Sequence, residues 1–353
     1  MPHAFILGGT GQIGRATAAH LLDHGWTVAL AHRGHRPAPA ELAARGAVVV
    51  TLDREQPGAL GRALAGGADL LVDAVAYGPD HAAQVLEIQS DIRALVVISS
   101  SSVYRDGAGR TLDEAAVTGF PVLPEPIGED QPTVEPGPAT YSTRKVALEH
   151  ALLARASIPV TILRPAAIHG PGSTHPREWW LVKRVLDHRP AIPLAYRGLS
   201  RFHTTAAPNI AAAVRAVAML PGQRILNVAD PTALSVAEIA ALVARHLGFD
   251  GDIVEVDDMD GYPPTVGRTP WSVRHPFVLD TTALKSLGYG PLTHYAGLVA
   301  STCDWLTAVT ASGDWPFLFP VLAKYPYDLF DYRREDAWLA SRPDLPPASA
   351  TSV

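Results

Sequence analysis

The sequence predicts an α/β protein built on a doubly wound parallel sheet, with a second, smaller lobe after it. Three observations lead there. An apolar run at 4–7 enters Gly8-Gly9-Thr10-Gly11-Gln12-Ile13-Gly14, and Ile13, Thr17, Ala18 and Leu21 then recur at helical spacing. Apolar runs and helical segments keep alternating as far as residue 99. The runs themselves are uniformly apolar, the pattern of strands covered on both faces.

In order, the first part reads as strands at 4–7, 26–31, 47–52, 69–76 and 94–99, separated by helices after residue 14 and at 40–45, 56–65 and 81–89. From 105 to 137 the pattern dissolves into Pro, Gly and acidic residues, a length of loop that is usually functional and often a lid. A helix at 139–156 and a strand at 160–163 follow. Beyond Arg164 come a helix at 178–187, a short strand at 202–205 and a helix at 209–220 ended by Pro221-Gly222. Next are a strand at 224–228, a helix at 236–247 opened by a Ser235/Glu238 capping box, and a strand at 252–256. A Pro-rich loop at 259–278 leads to a helix at 295–311, and the tail from 312 starts aromatic and turns polar, which predicts fraying. The implied division is a nucleotide domain over 1–171, completed by about 202–230, and a substrate lobe and tail drawn mainly from 172–353.

Composition narrows the function classes. A chain of 353 residues is long enough for a sizeable core. Its net charge of −6 argues against a nucleic-acid or anionic-membrane surface. Cys303 is the sole cysteine, so there is no intramolecular disulfide and no cysteine metal cage; it lies in an apolar helical pattern and reads as core. The 14 histidines show no ligand spacing with carboxylates, so no metal is expected. No stretch approaches the ~20 apolar residues of a membrane span, and no basic segment precedes the first apolar run. A cytoplasmic protein acting on a small molecule is the expectation.

The glycines fit two spacings, Gly9-x-Gly11-x-x-Gly14 and Gly8-x-x-Gly11-x-x-Gly14. Between strand and helix they permit a tight turn, close helix packing and the approach of a pyrophosphate, which meets the free N–H groups of the helix start. A Walker loop is excluded, because Arg15-Ala16 follows Gly14 in place of Lys-Ser/Thr. The strand at 94–99 runs into Ser99-Ser100-Ser101-Ser102-Val103-Tyr104, which places hydroxyls at the carboxyl end of a strand, where open α/β sheets bind ligands. Tyr141 and Lys145 are four residues apart in a predicted helix and share a face. An ammonium near a phenol favours phenolate, so the Tyr141 pKa is expected to fall from its usual ~10.

With these stretches in hand the chain resembles the extended short-chain dehydrogenase/reductases, the NAD-dependent epimerase/dehydratase group. The matching segments are GGTGQIG at 8–14, VVISSSSVY at 96–104, YSTRK at 141–145 and LRPAAIHGPG at 163–172, with RFHTTAAPNIAAAV at 201–214 as a looser match. The resemblance implies a Rossmann-type domain with a smaller C-terminal substrate lobe, and possible dimerisation through two helices per subunit. It makes Tyr141 the general acid/base, Lys145 the holder of the nicotinamide ribose and Ser100 the hydrogen-bond donor to the substrate oxygen. Gly8, Thr10, Gly11, Gln12, Ile13 and Gly14 would bind the pyrophosphate. Ala74, Ala76 and Tyr77 would follow the ribose and phosphates, and Pro165, Ala166 and Ile168 would line the nicotinamide.

Two departures refine this. Dehydratases of the group carry Asp-Glu where this chain has Ser101-Ser102, which disfavours elimination and makes Ser101 and Ser102 candidate substrate contacts. The acidic residue that binds the NAD ribose at the end of the second strand is missing; the segment is Ala31-His32-Arg33-Gly34-His35-Arg36. Arg33 and Arg36 would instead pair with a 2′-phosphate, so NADP is expected, with NAD as the alternative, unless these arginines are solvated loop charges. Asp53 and Arg54, at the end of the third strand, would face the adenine or serve as strand-end polar groups. His169 stands where the group usually has tyrosine and reads as structural. Trp179, Arg201 and His203 are candidate substrate residues, although Trp179, Trp180 and Trp271 fit a core equally well. The expected activity is NAD(P)-dependent hydride transfer between nicotinamide and a small carbonyl or alcohol. A sugar or nucleotide-sugar epimerase using transient oxidation is the alternative among enzymes, and a non-catalytic NADP-binding regulator the alternative outside them.

Overall fold

The computed structural model describes residues 1–35, 37–257 and 265–342. In chain order the elements are β1 (His3–Leu7), α1 (Gln12–Asp23), β2 (Thr27–His32), α2 (Ala40–Ala44), β3 (Val48–Thr51), α3 (Ala59–Ala63), β4 (Leu70–Asp73), α4 (Pro79–Glu87), β5 (Leu95–Ile98), α5 (Ala115–Thr118) and α6 (Tyr141–Arg155). They continue as β6 (Val160–Pro165), β7 (Ala167–His169), α7 (Trp179–Leu186), β8 (Ala191–Leu194), β9 (Thr204–Ala206), α8 (Ala207–Met219), β10 (Arg224–Val228), α9 (Val236–Leu247) and β11 (Asp252–Glu255). Last are α10 (Thr282–Lys285), α11 (Tyr295–Thr310), α12 (Trp315–Leu318), α13 (Pro320–Ala323) and α14 (Tyr332–Ala340).

The chain divides into two compact units. The first comprises Met1–Ile168, Thr205–Pro231 and Leu279–Thr293. Its sheet has seven strands in the order β10-β6-β5-β4-β1-β2-β3, every neighbouring pair parallel. That is a Rossmann-type order, with the topological switch between β1 and β4. The apolar runs are explained by the two faces. Ala4 and Ile6 of β1 pack with Leu21 of α1 and with Ile210 and Val214 of α8. Phe5 and Leu7 face the other way, toward Leu60 of α3, Val85 of α4, and Leu148 and Leu152 of α6. With helices on both sides, neither set of side chains can be polar without an unmet desolvation cost.

The loop between β5 and α6 is tied down rather than open. Asp106 accepts hydrogen bonds from the N–H groups of Ala108, Arg110 and Val122 and from the Arg110 side chain. Burial alone would raise its pKa, but these donors hold it at about 2. Glu129 accepts from Asn227 N, and Asn227 Nδ2 donates to Ile127 O, which stitches the loop to β10. The lid expected from composition is thus a hydrogen-bonded strap with a four-residue helix, α5, inside it.

The second unit comprises His169–Thr204, Thr232–Val278 and the chain from His294 onward. Helices α7, α9 and α11 share a core that includes Trp179, Trp180, Ile239, Val243, Trp271 and Cys303. The Ser235/Glu238 capping box starts α9 as its sequence predicts. The tail differs from expectation: α12, α13 and α14 continue the structure to residue 340. The reason is a buried ion pair. Glu335 of α14 binds Arg184 of α7, whose guanidinium lies 3.4 Å from the Trp180 ring centroid and also donates to Leu329 O. Polar residues read as a frayed tail thus include one that is paired in the core. The end beyond 342 and the first part of the Pro-rich loop, 258–264, lie outside the described residues. The short strand expected at 202–205 is shifted to β9, and β8 was not legible because its run, Ala191-Ile192-Pro193-Leu194, contains a proline.

The glycine turn joins β1 to α1. Gly8 has φ +79°, and a Cβ there would come within 2.7 Å of Val75 Cγ1. At Gly14 a Cβ would meet Gly8 O at 2.3 Å and Gly9 Cα at 2.7 Å, both backbone atoms that cannot swing aside. Gly14→Ala is therefore expected to lower unfolding free energy by about 1–3 kcal/mol, measured by urea denaturation. A variant as stable as wild type would show that the turn relaxes.

Candidate active site

The site is assembled at the carboxyl ends of β4 and β5 by the start of α6. That start is heavily specified. Thr140 Oγ1 accepts from Thr143 N, and Thr143 Oγ1 accepts from Thr140 N at 2.8 Å, a reciprocal cap. Ser142 N donates to Asp113 Oδ2 at 2.9 Å, so the strap contributes a carboxylate to the same helix end. These contacts make Tyr141 the first helical residue and put Lys145 one turn below it.

Lys145 is buried. Its Nζ donates to Ala76 O at 2.6 Å and Ile98 O at 2.8 Å, and lies 5.5 Å from the Tyr141 ring centroid and 5.3 Å from that of Tyr77. Burial lowers its pKa to about 8 against the opposing pull of Asp73 and Glu149. The Tyr141 ring is 39% exposed. Desolvation pushes the Tyr141 phenol up to about 12, with Tyr77 and Asp113 adding to the rise and a side-chain hydrogen bond with Ser100 opposing it. This corrects the expectation that Lys145 lowers the phenol's pKa. The ammonium has two backbone carbonyls as partners, and burial dominates at the hydroxyl. At neutral pH Tyr141 is therefore protonated, the form that gives a proton away.

Ser100 closes β5 and caps the short 3₁₀ turn Ser101–Val103. Its Oγ is 2.9 Å from Ser102 Oγ, which is 2.8 Å from Ser142 Oγ. Ser101 is buried in that turn. Tyr104, the other tyrosine of the serine segment, is fully buried and donates to Asn227 Oδ1 at 2.7 Å, so it is held away from chemistry. Beneath the site Glu149 binds Ser99 and Arg164, both buried. Ser142, Asp113, Asp73 and Glu149 are the functional neighbours that the sequence reading did not single out. Ser142 stood inside the YSTRK segment; Asp113 is 28 residues from Tyr141 and gave no signal.

The glycine turn suits a pyrophosphate. A Cβ at Gly11 would meet only Gly8 O, at 3.3 Å, so that side of the turn is a cradle that a side chain would fill. Helix α1 begins without a side-chain cap and without an acid in its first turn, leaving its dipole and N–H groups for an anion. Gly8, Thr10 and Gly11 are in this turn, and Gln12, Ile13 and Gly14 open α1 directly after it. The turn after β4 runs alongside: Asp73 Oδ1 accepts from Val75 N, Ala74 N donates to Leu7 O, Ala76 is buried and Tyr77 half exposed. Pro165 is buried at the end of β6, Ala166 N donates to Val228 O, and Ile168 packs at the edge of the core. At the end of β2, Arg33 and His35 are exposed and Gly34 N donates to His32 Nδ1. No carboxylate stands there, and Arg36 lies outside the described residues.

Asp53 accepts from Glu55 N and Gln56 Nε2 beyond β3. Arg54 serves as a strand-end polar group, one of its two expected roles: it is buried, with Nη1 2.7 Å from Asp73 Oδ2 and Nε donating to Gln84 Oε1. The pair ties the ends of β3 and β4: the carboxylate of Asp73 is buried and needs a cation, which Arg54 supplies. In the second unit Trp179 packs against Phe319 in the core, His203 is buried with its N–H on Phe277 O, and Arg201 O accepts from Phe277 N. His169 stacks on Tyr295 at 4.6 Å. Among the described residues no cluster of His, Cys, Asp and Glu could hold a metal ion, and no helix is long and apolar enough to cross a membrane. Asp73→Asn leaves the Arg54 charge buried without its partner, so a loss of about 3–5 kcal/mol in unfolding free energy is expected by denaturant titration. A loss under 1 kcal/mol would mean that water replaces the carboxylate.

Comparison with known proteins bears on the family and the fold. A profile of the NAD dependent epimerase/dehydratase family matches residues 4–229. Among solved structures, the chain is similar to UDP-N-acetylglucosamine 4-epimerase from Bacillus cereus, with TM-score 0.63 and 16% identity over 87% of this chain and 100% of that one. It is similar to dTDP-glucose 4,6-dehydratase from Bacillus anthracis str. Ames in complex with NAD, with TM-score 0.64 and 16% identity over 87% and 97%. An epimerase from Methanothermobacter thermautotrophicus gives TM-score 0.65 and 16% identity over 90% and 94%. At such identities the structures speak for the fold alone, and no curated protein matches the sequence. The profile match takes in most of the first unit, including the glycine turn and the start of α6, and on that evidence the chain belongs to the NAD dependent epimerase/dehydratase family of extended short-chain dehydrogenases/reductases.

Proposed function

We propose that this protein is an NADP-dependent oxidoreductase that reduces a small-molecule carbonyl or oxidises the corresponding alcohol. The observation that carries the reading is Tyr141 at the start of α6 with the buried Lys145 one helical turn below it, next to the end of β5 where Ser100 lies. A bound nicotinamide supplies or accepts the hydride. The chain's own residues do the rest. Ser100 holds the substrate oxygen, and Tyr141 donates its proton to that oxygen as charge builds on it, or withdraws one in the reverse direction. Lys145, fixed by Ala76 O and Ile98 O, has one N–H left for the nicotinamide ribose. Ser101, Ser102, Arg201 and His203 remain the proposed substrate residues; Trp179, packed in the core against Phe319, is not one of them, and Ser101 and Ser102 in place of an Asp-Glu pair speak against elimination.

Tyr141→Phe tests the proton donor. In a screen of aldehydes and ketones followed by NADPH absorbance, turnover should fall by at least ~100-fold while NADPH binding persists. Unchanged turnover would remove Tyr141 from the mechanism, and a wild-type protein that binds NADPH yet turns over nothing would favour a cofactor-binding regulator. The epimerases among the structural neighbours support a second reading, transient oxidation and return of the hydride. The two differ in stoichiometry: a reductase consumes one NADPH per product, an epimerase none.

The cofactor preference rests on Arg33 and on the absence of a carboxylate at the end of β2. The NAD in the dTDP-glucose 4,6-dehydratase structure is the support for the alternative. NADPH is expected to bind more tightly than NADH, and Arg33→Glu to weaken NADPH about tenfold or more while sparing NADH. Tighter NADH binding by the wild type in calorimetry would overturn the preference.

A further inference from the structure

One peptide unit in the turn after β4 is held at both edges. Lys145 Nζ donates to Ala76 O at 2.6 Å, and the N–H of the next residue, Tyr77, donates to His81 Nδ1 at 2.9 Å. That carbonyl and that N–H belong to the same planar group, and in a trans peptide they point in opposite directions. Lys145 of α6 and His81 of α4 therefore grip it from two sides. The hydrogen bonds also fix the imidazole. Nδ1 accepts from Tyr77, so the ring proton is on Nε2, which donates to Glu55 Oε1 at 3.0 Å. Arg54 Nη2 donates to His81 O at 3.4 Å. The Tyr77 ring leans on the same two side chains, its centroid 5.3 Å from Lys145 Nζ and 6.1 Å from that of the His81 ring.

We propose that Glu55 and His81 are positioning residues for cofactor binding: through the Ala76–Tyr77 peptide they set the acceptor on which Lys145 rests. Glu55 selects the tautomer, the bare Nδ1 holds the Tyr77 N–H, and the peptide plane then offers Ala76 O to the ammonium. His81 is the third residue of α4 and reaches back across its start, so capping that helix is its plainer role. The other edge of the peptide adds a second one. Cap and lysine seat share one rigid plane, and rotating it out of one bond rotates it out of the other. Protonation turns Nδ1 into a donor that faces a donor. The Tyr77 N–H must then swing away, and Ala76 O swings with it, off Lys145. The buried ammonium is left with one carbonyl in place of two, and the N–H kept for a ribose loses its aim. Glu55 and Arg54 face His81 from the segment after β3, Asp80 from its own helix, and Arg144 of α6 lines the same surface hollow as Tyr77 and His81.

Lys145 as ribose holder is the reading on which this rests, and the first test is independent of it. In ¹⁵N spectra of the imidazoles, the signals lost in His81→Asn identify the residue. They should show a bare Nδ1 and a protonated Nε2; the opposite tautomer overturns the relay. The second test is the binding of NADP⁺, which survives acid, followed by calorimetry. Asn keeps an acceptor where Nδ1 stood and takes up no proton. At about pH 8 His81→Asn should bind within about twofold of wild type, and His81→Phe, which has no acceptor, about tenfold more weakly. Between about pH 8 and about pH 5, the span in which histidines gain charge, the wild type should lose about five- to tenfold more affinity than His81→Asn. The cofactor's phosphates, Glu55, Asp80 and the arginines are common to both proteins, so the difference reports His81, and a helix cap alone would not produce it. Parallel losses in wild type and His81→Asn, or wild-type affinity in folded His81→Phe, overturn the proposal. A wild type that binds neither NADP⁺ nor NAD⁺ overturns the ribose reading and this proposal with it, a result told apart by the tautomer, which needs no cofactor.

Discussion

The first unit depends on one buried ammonium. Lys145 brings a positive charge into a region with almost no water and discharges two of its three donors onto Ala76 O and Ile98 O. Those carbonyls end the turn after β4 and the strand β5, so a single side chain fixes α6 to both strand ends. A buried cation is costly unless its donors are met and an opposite charge is near. Asp73 and Glu149 supply that charge from below. The height of Tyr141 above the sheet follows from this anchor, because the helix cannot slide without breaking both contacts.

The carboxylates that serve Lys145 are themselves engaged. Asp73 is held by Arg54 and bends the β4 turn through Val75 N, while Glu149 is held by Arg164 and Ser99. Each charge is shared between a structural partner and the site. The outcome is an environment in which the acid and the cation are both perturbed by burial, in opposite senses: the phenol up to about 12, the ammonium down to about 8. A protonated phenol has a proton to give, which is the form the proposed reaction needs.

The turn at Gly8–Gly14 works by a different constraint, volume. Gly8 and Gly14 are forced by close backbone and side-chain neighbours, whereas a Cβ at Gly11 would meet a single backbone oxygen, Gly8 O, at 3.3 Å. The same short sequence thus mixes glycines that make the fold with one that makes room for a ligand.

The amino-acid sequence by itself determined the order of strands and helices from β1 to β5, because runs buried on both faces must be apolar throughout and a phosphate turn must be glycine. It also determined the Tyr141/Lys145 pairing, since a spacing of four on a helix is a matter of local geometry. Arg54 and Glu335 show where it stopped. Arg54 read as a cofactor contact or a strand-end polar group and Glu335 fell in a tail read as frayed, yet each is buried against a partner, Asp73 or Arg184, that only the packed chain brings near. The direction of the Tyr141 pKa was likewise decided in three dimensions: proximity to an ammonium is visible in sequence, but desolvation and the rival acceptors of that ammonium belong to the tertiary structure.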